Sequence, residues 1–322
     1  MNPKPTLPFQ MRPAMIAMAI LLLASCDPED SAEVFEGSGD EPSKVEPRYT
    51  REYVFIGERA DAPTAAIFEF QVTDRDSTLA RRTLGWLAYS DTWDAFLDES
   101  WFTSGAAGVW NVLPHDELRI AVGISGDLEQ IRYRRDEQSL ELRLDDPISV
   151  WSQADDTRYR LFESTLSLGK EATTGILLEV LRARRVGSAD EFSYGDYDRL
   201  FLTDGSGLQL VMAEAIGGGN TEERTFGWIR SNGDERIWNE AEVRWLEMRP
   251  LDEARRDIPL RWSLRIPASD LIGEVAALGF EYTLGPDQAG RRAVEIRYTV
   301  EGWVELEGER RRVFGVIKHA QA

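Results

Sequence analysis

The chain has 322 residues and carries 57 acidic against 37 basic side chains, which gives a formal net charge of −20. Because so acidic a surface repels phosphate backbones and anionic lipid headgroups, nucleic acid is excluded as an expected partner. A single cysteine excludes a disulfide within the chain. The fold must therefore rest on its apolar core, and ten Trp, thirteen Phe and nine Tyr can supply one large or two small domains.

The N-terminus resembles a bacterial lipoprotein signal. Lys4 and Arg12 give it a positive start, and residues 14–24 form an apolar run that is too short to span a bilayer. Residues 23–26 read Leu-Ala-Ser-Cys, which resembles a lipobox. The alternative is an ordinary signal peptide followed by a chance cysteine.

The resemblance implies a signal peptide at residues 1–25 and lipidation of Cys26, so that the protein contacts the membrane through a lipid anchor. Dual or triple acylation would give stable attachment in the bacterial envelope, facing the periplasm. Asp27 resembles the residue that retains lipoproteins on the inner membrane, while the outer membrane stays open as the alternative. Residues 26–48 contain eight acidic side chains and three prolines and predict a disordered tether.

Short strand-like runs fill the remainder of the chain. They are rich in β-branched and aromatic residues and are separated by turn residues. They lie at residues 53–56, 65–72, 83–89, 118–124, 140–144, 161–168, 175–181, 200–202, 208–212, 225–230, 243–248, 260–266, 276–282, 293–306 and 312–318. Residues 90–102 differ: Trp93, Phe96, Leu97 and Trp101 fall at helical spacing and predict a short amphipathic helix or a loop crossing.

The two halves of the chain resemble each other at three places. The matching segments are residues 82–86 with 224–228, residues 163–168 with 301–306, and Gly175 with Gly315. All three matches are in order at a nearly constant spacing of about 140 residues. This predicts a duplicated β-unit, with one domain at residues 49–185 and a second at residues 186–322.

Three segments of the second half resemble the tandem lipocalin-like proteins that include carotenoid 1,2-hydratase (hydroxyneurosporene synthase). Residues 257–267 (Asp-Ile-Pro-Leu-Arg-Trp-Ser-Leu-Arg-Ile-Pro) resemble that family's Tyr-Pro-x-x-Trp-x-Leu-x-Ile-Pro segment. Residues 197–205 resemble the strand that opens its second barrel, and residues 300–308 resemble its closing strand. The resemblance implies an all-β fold of two tandem lipocalin-like antiparallel β-barrels.

Catalytic residues do not carry over from that family. Its hydratases have an Asp-His-x-Trp motif before the second barrel, and neither His115 nor His319 sits in such a motif. The corresponding region offers Tyr194, Asp196 and Asp198 as candidate acids, and a solvated acidic loop is the other interpretation. No spacing typical of a metal site is present, and no cofactor is expected.

Four tryptophans and one tyrosine are candidate ligand-lining residues because they lie on predicted strands near the repeated segments. They are Trp86, Trp228, Trp262, Trp303 and Tyr298. In this interpretation they line a cavity for an apolar ligand, and in the alternative they fill the core.

Three functions remain open. The first is an anchored lipoprotein that binds a hydrophobic small molecule, a lipid or an isoprenoid, without chemistry. The second is a carotenoid-hydratase-like lyase, a hydratase or isomerase of a lipid double bond, which a buried carboxyl among aromatic rings would favour. The third is an envelope-assembly or carbohydrate-binding lipoprotein, which an exposed strip of tryptophans would favour.

Overall fold

The computed structural model describes residues 48–75, 78–104, 117–124, 127–153, 157–184, 196–216, 225–288 and 290–321. The predicted signal peptide, Cys26, Asp27 and nearly all of the predicted tether lie outside these residues, as do His115 and Tyr194. The predicted boundary between residues 185 and 186 also lies outside them. Within the described ranges, no helix is both long enough and apolar enough to cross a membrane.

The first sheet contains nine antiparallel strands in the spatial order β4-β3-β2-β1-β9-β8-β7-β6-β5. The strands are β1 (Arg48–Arg59), β2 (Ala62–Arg75), β3 (Thr78–Tyr89), β4 (Thr92–Ser104), β5 (Leu118–Val122), β6 (Leu128–Arg135), β7 (Gln138–Ser152), β8 (Arg158–Leu168) and β9 (Glu171–Arg184). The first strand pairs with both the second and the ninth, so β1 and β9 lie in the middle of the sheet and β4 and β5 at its edges. The sheet curls, because Phe96 of the edge strand β4 packs on Tyr133 of β6 with ring centroids 4.8 Å apart.

The second sheet repeats this arrangement, in the order β13-β12-β11-β10-β18-β17-β16-β15-β14. Its strands are β10 (Asp196–Thr203), β11 (Leu208–Ile216), β12 (Phe226–Ser231), β13 (Asp234–Trp238), β14 (Glu242–Leu251), β15 (Arg256–Ile266), β16 (Leu271–Gln288), β17 (Arg291–Leu306) and β18 (Glu309–Gln321). A short 3-10 helix (Pro267–Ser269) joins β15 to β16. The prediction of an all-β fold with two lipocalin-like units is confirmed.

The repeated sequence segments lie on equivalent strands of the two sheets. Residues 82–86 are in β3, and residues 225–228 of their counterpart span the start of β12, which holds the same place in its sheet. The second pair lies in β8 and β17, and the glycine pair lies in β9 and β18. The constant spacing of the three sequence matches therefore reflects a duplicated strand topology.

The prediction of a short helix or a loop crossing at residues 90–102 is wrong, because nearly all of this segment belongs to β4 and pairs with β3. The ladder contains a bulge between Gly85 and Trp86, where the partners change from Leu97 to Ala95 and leave Phe96 as the extra residue. A bulge interrupts the alternation of faces along a strand. Trp93 therefore packs in the cluster between the sheets while Phe96 and Leu97 pack inside the first sheet, and this produces the helix-like spacing.

Both faces of the central strands are apolar, and both are buried. In β1, Phe55 belongs to the cluster inside the first sheet, whereas its neighbour Val54 points the opposite way into a cluster shared by both sheets. Phe201 and Trp228 enter that shared cluster from the second sheet. The outer faces of the two sheets therefore pack against each other, and each sheet also keeps its own inner core.

An ion cluster is buried beside this apolar contact. We call it the inter-sheet ion cluster, and its members are Glu52, Glu69, Arg199, Glu295, Arg297 and Lys318. Lys318 Nζ lies 3.0 Å from Glu69 Oε2 and 3.3 Å from Glu295 Oε1. The guanidinium of Arg297 lies 3.6 Å from the centre of the Trp86 ring. Three acids and three bases thus balance one another in the interface.

Candidate active site

A row of polar side chains crosses the inner face of the second sheet. Asp198 on β10 is the register partner of Glu214 on β11 and of His319 on β18. Strand alternation places these residues on the same face as Leu200 and Ile317, which belong to the inner core. The row is therefore a polar strip in an otherwise apolar interior.

Asp198 and His319 form a buried pair. His319 Nδ1 lies 2.7 Å from Asp198 Oδ1, and neither side chain is exposed to solvent. The indole Nε1 of Trp245 donates to the second carboxylate oxygen at 2.7 Å, so both oxygens of Asp198 are occupied. With Nδ1–H donated to the carboxylate, a neutral His319 carries its lone pair on Nε2. Nε2 is buried and has no hydrogen-bond partner among the described residues.

Two further polar atoms in this interior lack partners. The Tyr298 hydroxyl and Trp262 Nε1 are both buried without a hydrogen bond within the described part of the chain. Their rings meet edge to face with centroids 5.0 Å apart. Burial and the negative charge of Asp198 raise the pKa of Tyr298, which keeps its hydroxyl protonated and able to donate. A buried polar atom without a partner is costly, and such atoms concentrate where a ligand supplies the partner.

Glu214 supplies a second carboxyl to the row. Burial and the nearby charges of Asp198 and Glu242 raise its pKa, against the opposing effect of a hydrogen bond from the Val243 backbone N–H. That bond also links β11 to β14, the strand beyond the break in the sheet. Glu214 therefore has a raised affinity for a proton, and it lies on the opposite side of Asp198 from His319.

A cavity of about 440 Å³ adjoins this row at one end of the second sheet. It is lined by Trp245, Met248, Leu251, Arg255, Arg256 and Gln321, among others. Trp245, which lines this cavity, also packs on the His319 ring with centroids 5.3 Å apart. Trp245 therefore contacts both the cavity and the buried pair.

The candidate residues from the sequence fall in different places. Trp262 and Tyr298 lie together inside the second sheet, whereas Trp86 and Trp228 lie in the cluster between the sheets. Trp303 is half-buried on β17, with the guanidinium of Arg310 3.8 Å from its ring centre. Whether these aromatic residues contact a ligand stays a prediction.

Of the candidate acids, Asp198 is the one that the structure describes in full. Asp196 begins β10 but its side chain is not described, and Tyr194 lies outside the described residues. Sequence reasoning missed His319, Trp245 and Glu214. Alternation along β18 could have placed His319 on the inner face, since it follows Ile317 by two residues, but its partner lies 121 positions away. No group of three or more possible metal ligands occurs among the described residues.

Comparison with known proteins gives the fold. No family model and no curated protein sequence matches the chain. Among solved structures, kievitone hydratase from Nectria haematococca is similar with a TM-score of 0.54 and 12% identity, covering 86% of this chain and 89% of that one. An AttH-like protein from Nitrosomonas europaea is similar with a TM-score of 0.57 and 10% identity, covering 89% and 97%. At these identities the similarity establishes a related fold.

Proposed function

We propose that the second sheet binds a largely apolar, unsaturated small molecule and that the Asp198–His319 pair moves a proton to or from it. The observation that carries this proposal is the buried, unpartnered Nε2 of His319, whose opposite nitrogen is fixed by a carboxylate. An interior needed only for packing would be better served by apolar residues, because buried polar atoms without partners destabilise the fold. The ring of Trp245 packs on His319, and Trp262 and Tyr298 pack on each other in the same inner core, which suits an apolar ligand.

The chemistry that fits is addition of water to a double bond, or its reversal. In the forward direction, Nε2 of His319 accepts a proton from water as the water oxygen bonds to one carbon. Glu214, in its protonated form, gives its proton to the other carbon, and both groups are restored when His319 releases its proton to solvent and Glu214 takes one up. Asp198 holds the imidazole and stabilises its charged form, and Tyr298 donates to an oxygen on the ligand. The name of the structurally similar kievitone hydratase agrees with this class of reaction.

The test begins with the natural ligand. The full chain is purified from its own membrane, and native mass spectrometry with solvent extraction separates bound lipid from any anchor. The extract is then returned to the protein in oxygen-18-labelled water. We expect a product heavier by one labelled water, and we expect His319→Gln to slow its formation by about 10²- to 10⁴-fold.

The control is Lys170→Gln in the exposed turn between β8 and β9 of the first sheet, which should leave the rate unchanged. Stoichiometric lipid that never gains labelled water would favour the second candidate, binding without chemistry. That candidate is supported by the complete burial of the pair, which shields it from solvent. A product that forms equally well with His319→Gln would refute the acid–base role.

We further propose that Cys26 is lipidated and anchors the folded part in the bacterial envelope, facing the periplasm. The support is the sequence of residues 14–26 and the position of the only cysteine directly after the apolar run. Cys26→Ser should release the protein from the membrane fraction and abolish incorporation of labelled fatty acid. Asp27→Ser tests inner-membrane retention and should move the protein to the outer membrane in a host that sorts by this residue.

A further inference from the structure

A second cleft of about 550 Å³ lies where the two sheets meet, away from the interior of either sheet. The first sheet lines it with residues of β1, β7, β8 and β9, and the second sheet lines it with residues of β10 to β12 and β18. Its volume falls within the range of roughly 300–1,000 Å³ that is usual for small-molecule sites. The proposed acid–base chemistry does not use this cleft.

One wall of the cleft carries carboxylates. Asp145 and Glu163 line it and are exposed, and neither is paired with a basic side chain in the described ranges. Ser164 follows Glu163 on β8, but it shares a face with Phe162 and Leu166 of the first sheet's inner core, so its hydroxyl points away from the cleft. This wall therefore offers two strong acceptors.

The opposite wall carries donors held in fixed positions. Arg230 Nη1 donates to Gln209 Oε1 at 3.2 Å, and Gln209 is 4% exposed. Arg230 also lies 3.6 Å from Glu235, which accepts a hydrogen bond from Ser149 of the first sheet at 2.7 Å. These contacts join the two sheets at the edge of the cleft and fix the arginine there.

The turn between β10 and β11 completes this wall. Asp204 Oδ1 accepts hydrogen bonds from the backbone N–H groups of Ser206, Gly207 and Leu208 at 2.8 to 2.9 Å. Burial opposes ionisation of Asp204, but these bonds hold its pKa below the usual range. Because one carboxylate ties three successive backbone groups, the turn is a preorganised wall.

The floor of the cleft is apolar. Ile56 and Ile176 contribute from the first sheet, and the buried ring of Phe314 contributes from the second. A small apolar floor under a rim of acceptors and donors suits a molecule with one C–H face and many hydroxyls. A wholly apolar ligand would leave the polar groups at the rim without hydrogen-bond partners. A phosphate would meet the two unpaired carboxylates at close range.

We propose that this inter-sheet cleft is a binding site for an uncharged carbohydrate. Sugar hydroxyls both donate and accept, so they can serve Asp145 and Glu163 as well as Arg230. The C–H face of the sugar ring packs on Phe314 and the two isoleucines. The site is separate from the proposed apolar site in the second sheet, so that one protein would recognise an apolar molecule and a glycan at different places.

The test uses the full chain and N,N′-diacetylchitobiose, an uncharged disaccharide, in isothermal titration calorimetry and saturation-transfer NMR. We expect saturable binding to the native protein. Asp145→Asn with Glu163→Gln should weaken it about tenfold or more, because charged acceptors make the stronger hydrogen bonds. Ser164→Ala removes a hydroxyl that faces the interior of the first sheet, so it should leave binding unchanged.

Two controls separate this proposal from the other one. Glu247→Gln, an exposed acid on β14, should leave disaccharide binding unchanged, and so should His319→Gln. Absence of saturable binding to the native chain would overturn the proposal. Equal binding by the native protein and the variant with both Asp145→Asn and Glu163→Gln would do the same, as would tighter binding of glucose 6-phosphate than of the disaccharide. None of these outcomes bears on hydration of an apolar ligand.

Discussion

Replacing Lys318 with methionine tests how the two sheets are held together. The Lys318 side chain is 6% exposed, and its Nζ lies 3.0 Å from Glu69, 3.3 Å from Glu295 and 3.7 Å from Glu52. Burial alone would lower the pKa of Lys318, but these three carboxylates raise it above its usual range. Lys318→Met keeps most of the side-chain volume and removes the charge that all three acids share.

The magnitude follows from the charge balance of the inter-sheet ion cluster. The substitution leaves three carboxylates with two guanidinium groups, which is one uncompensated negative charge in the interface. Removing one partner of a buried ion pair costs about 3–5 kcal/mol, mainly because the remaining charge stays buried without compensation. We therefore expect Lys318→Met to lower the free energy of unfolding by about 3–5 kcal/mol at pH 7.

The pKa of Glu69 determines how the stability deficit of Lys318→Met changes with pH. Burial by itself would raise the pKa of Glu69, but Lys318 and Arg297 hold it well below its usual range. A carboxyl with a lowered folded pKa stabilises the protein above its unfolded pKa of about 4.3, and this contribution is lost as the pH falls through the folded value. In Lys318→Met the cluster acids bind a proton more readily, which cancels the excess charge. The deficit relative to the native protein should therefore shrink as the pH is lowered from 7 towards 5.

Guanidinium unfolding at several pH values, followed by tryptophan fluorescence, measures this deficit. Lys170→Met is the matched control, because Lys170 is exposed in the turn between β8 and β9 and should change stability by less than about 0.5 kcal/mol. A deficit no larger than that of the control would refute the reasoning. A large deficit that does not vary with pH would refute the electrostatic explanation and point to packing.

Two further substitutions separate packing from function. Trp228→Ala should lower the free energy of unfolding by about 3–5 kcal/mol in thermal or denaturant unfolding, because the Trp228 ring stacks at 4.3 Å on Trp151 of the other sheet. The control is Ile237→Ala: Ile237 is the register partner of Trp228 and is exposed, so this change should have little effect on stability. Equal losses in the two variants would contradict the packing argument. Tyr298→Phe removes a buried hydroxyl without a partner, so stability should stay equal or rise slightly while product formation in labelled water falls by about 10²-fold. A clear loss of stability in that variant would mean that the hydroxyl has a structural role.

The sequence by itself determined the fold class. Val294, Ile296, Tyr298 and Val300 alternate with polar residues along β17, and in the structure all four are buried in the inner core of the second sheet. Alternation is a local property of an extended chain, so it can be recognised without tertiary contacts. The repeat was also recognisable, because duplication preserves the order of landmarks along the chain.

The bulge in β4 and the candidate site needed the tertiary structure. Phe96 has no register partner because the ladder slips at Gly85, and nothing in residues 90–102 alone distinguishes that slip from a helical turn. Asp198 was one of several acids in the sequence. What gives it a role is His319 at 2.7 Å, brought there because the first strand of the second sheet pairs with the last. Pairing between strands that are distant in the sequence depends on the tertiary arrangement of the whole sheet, and no local pattern records it.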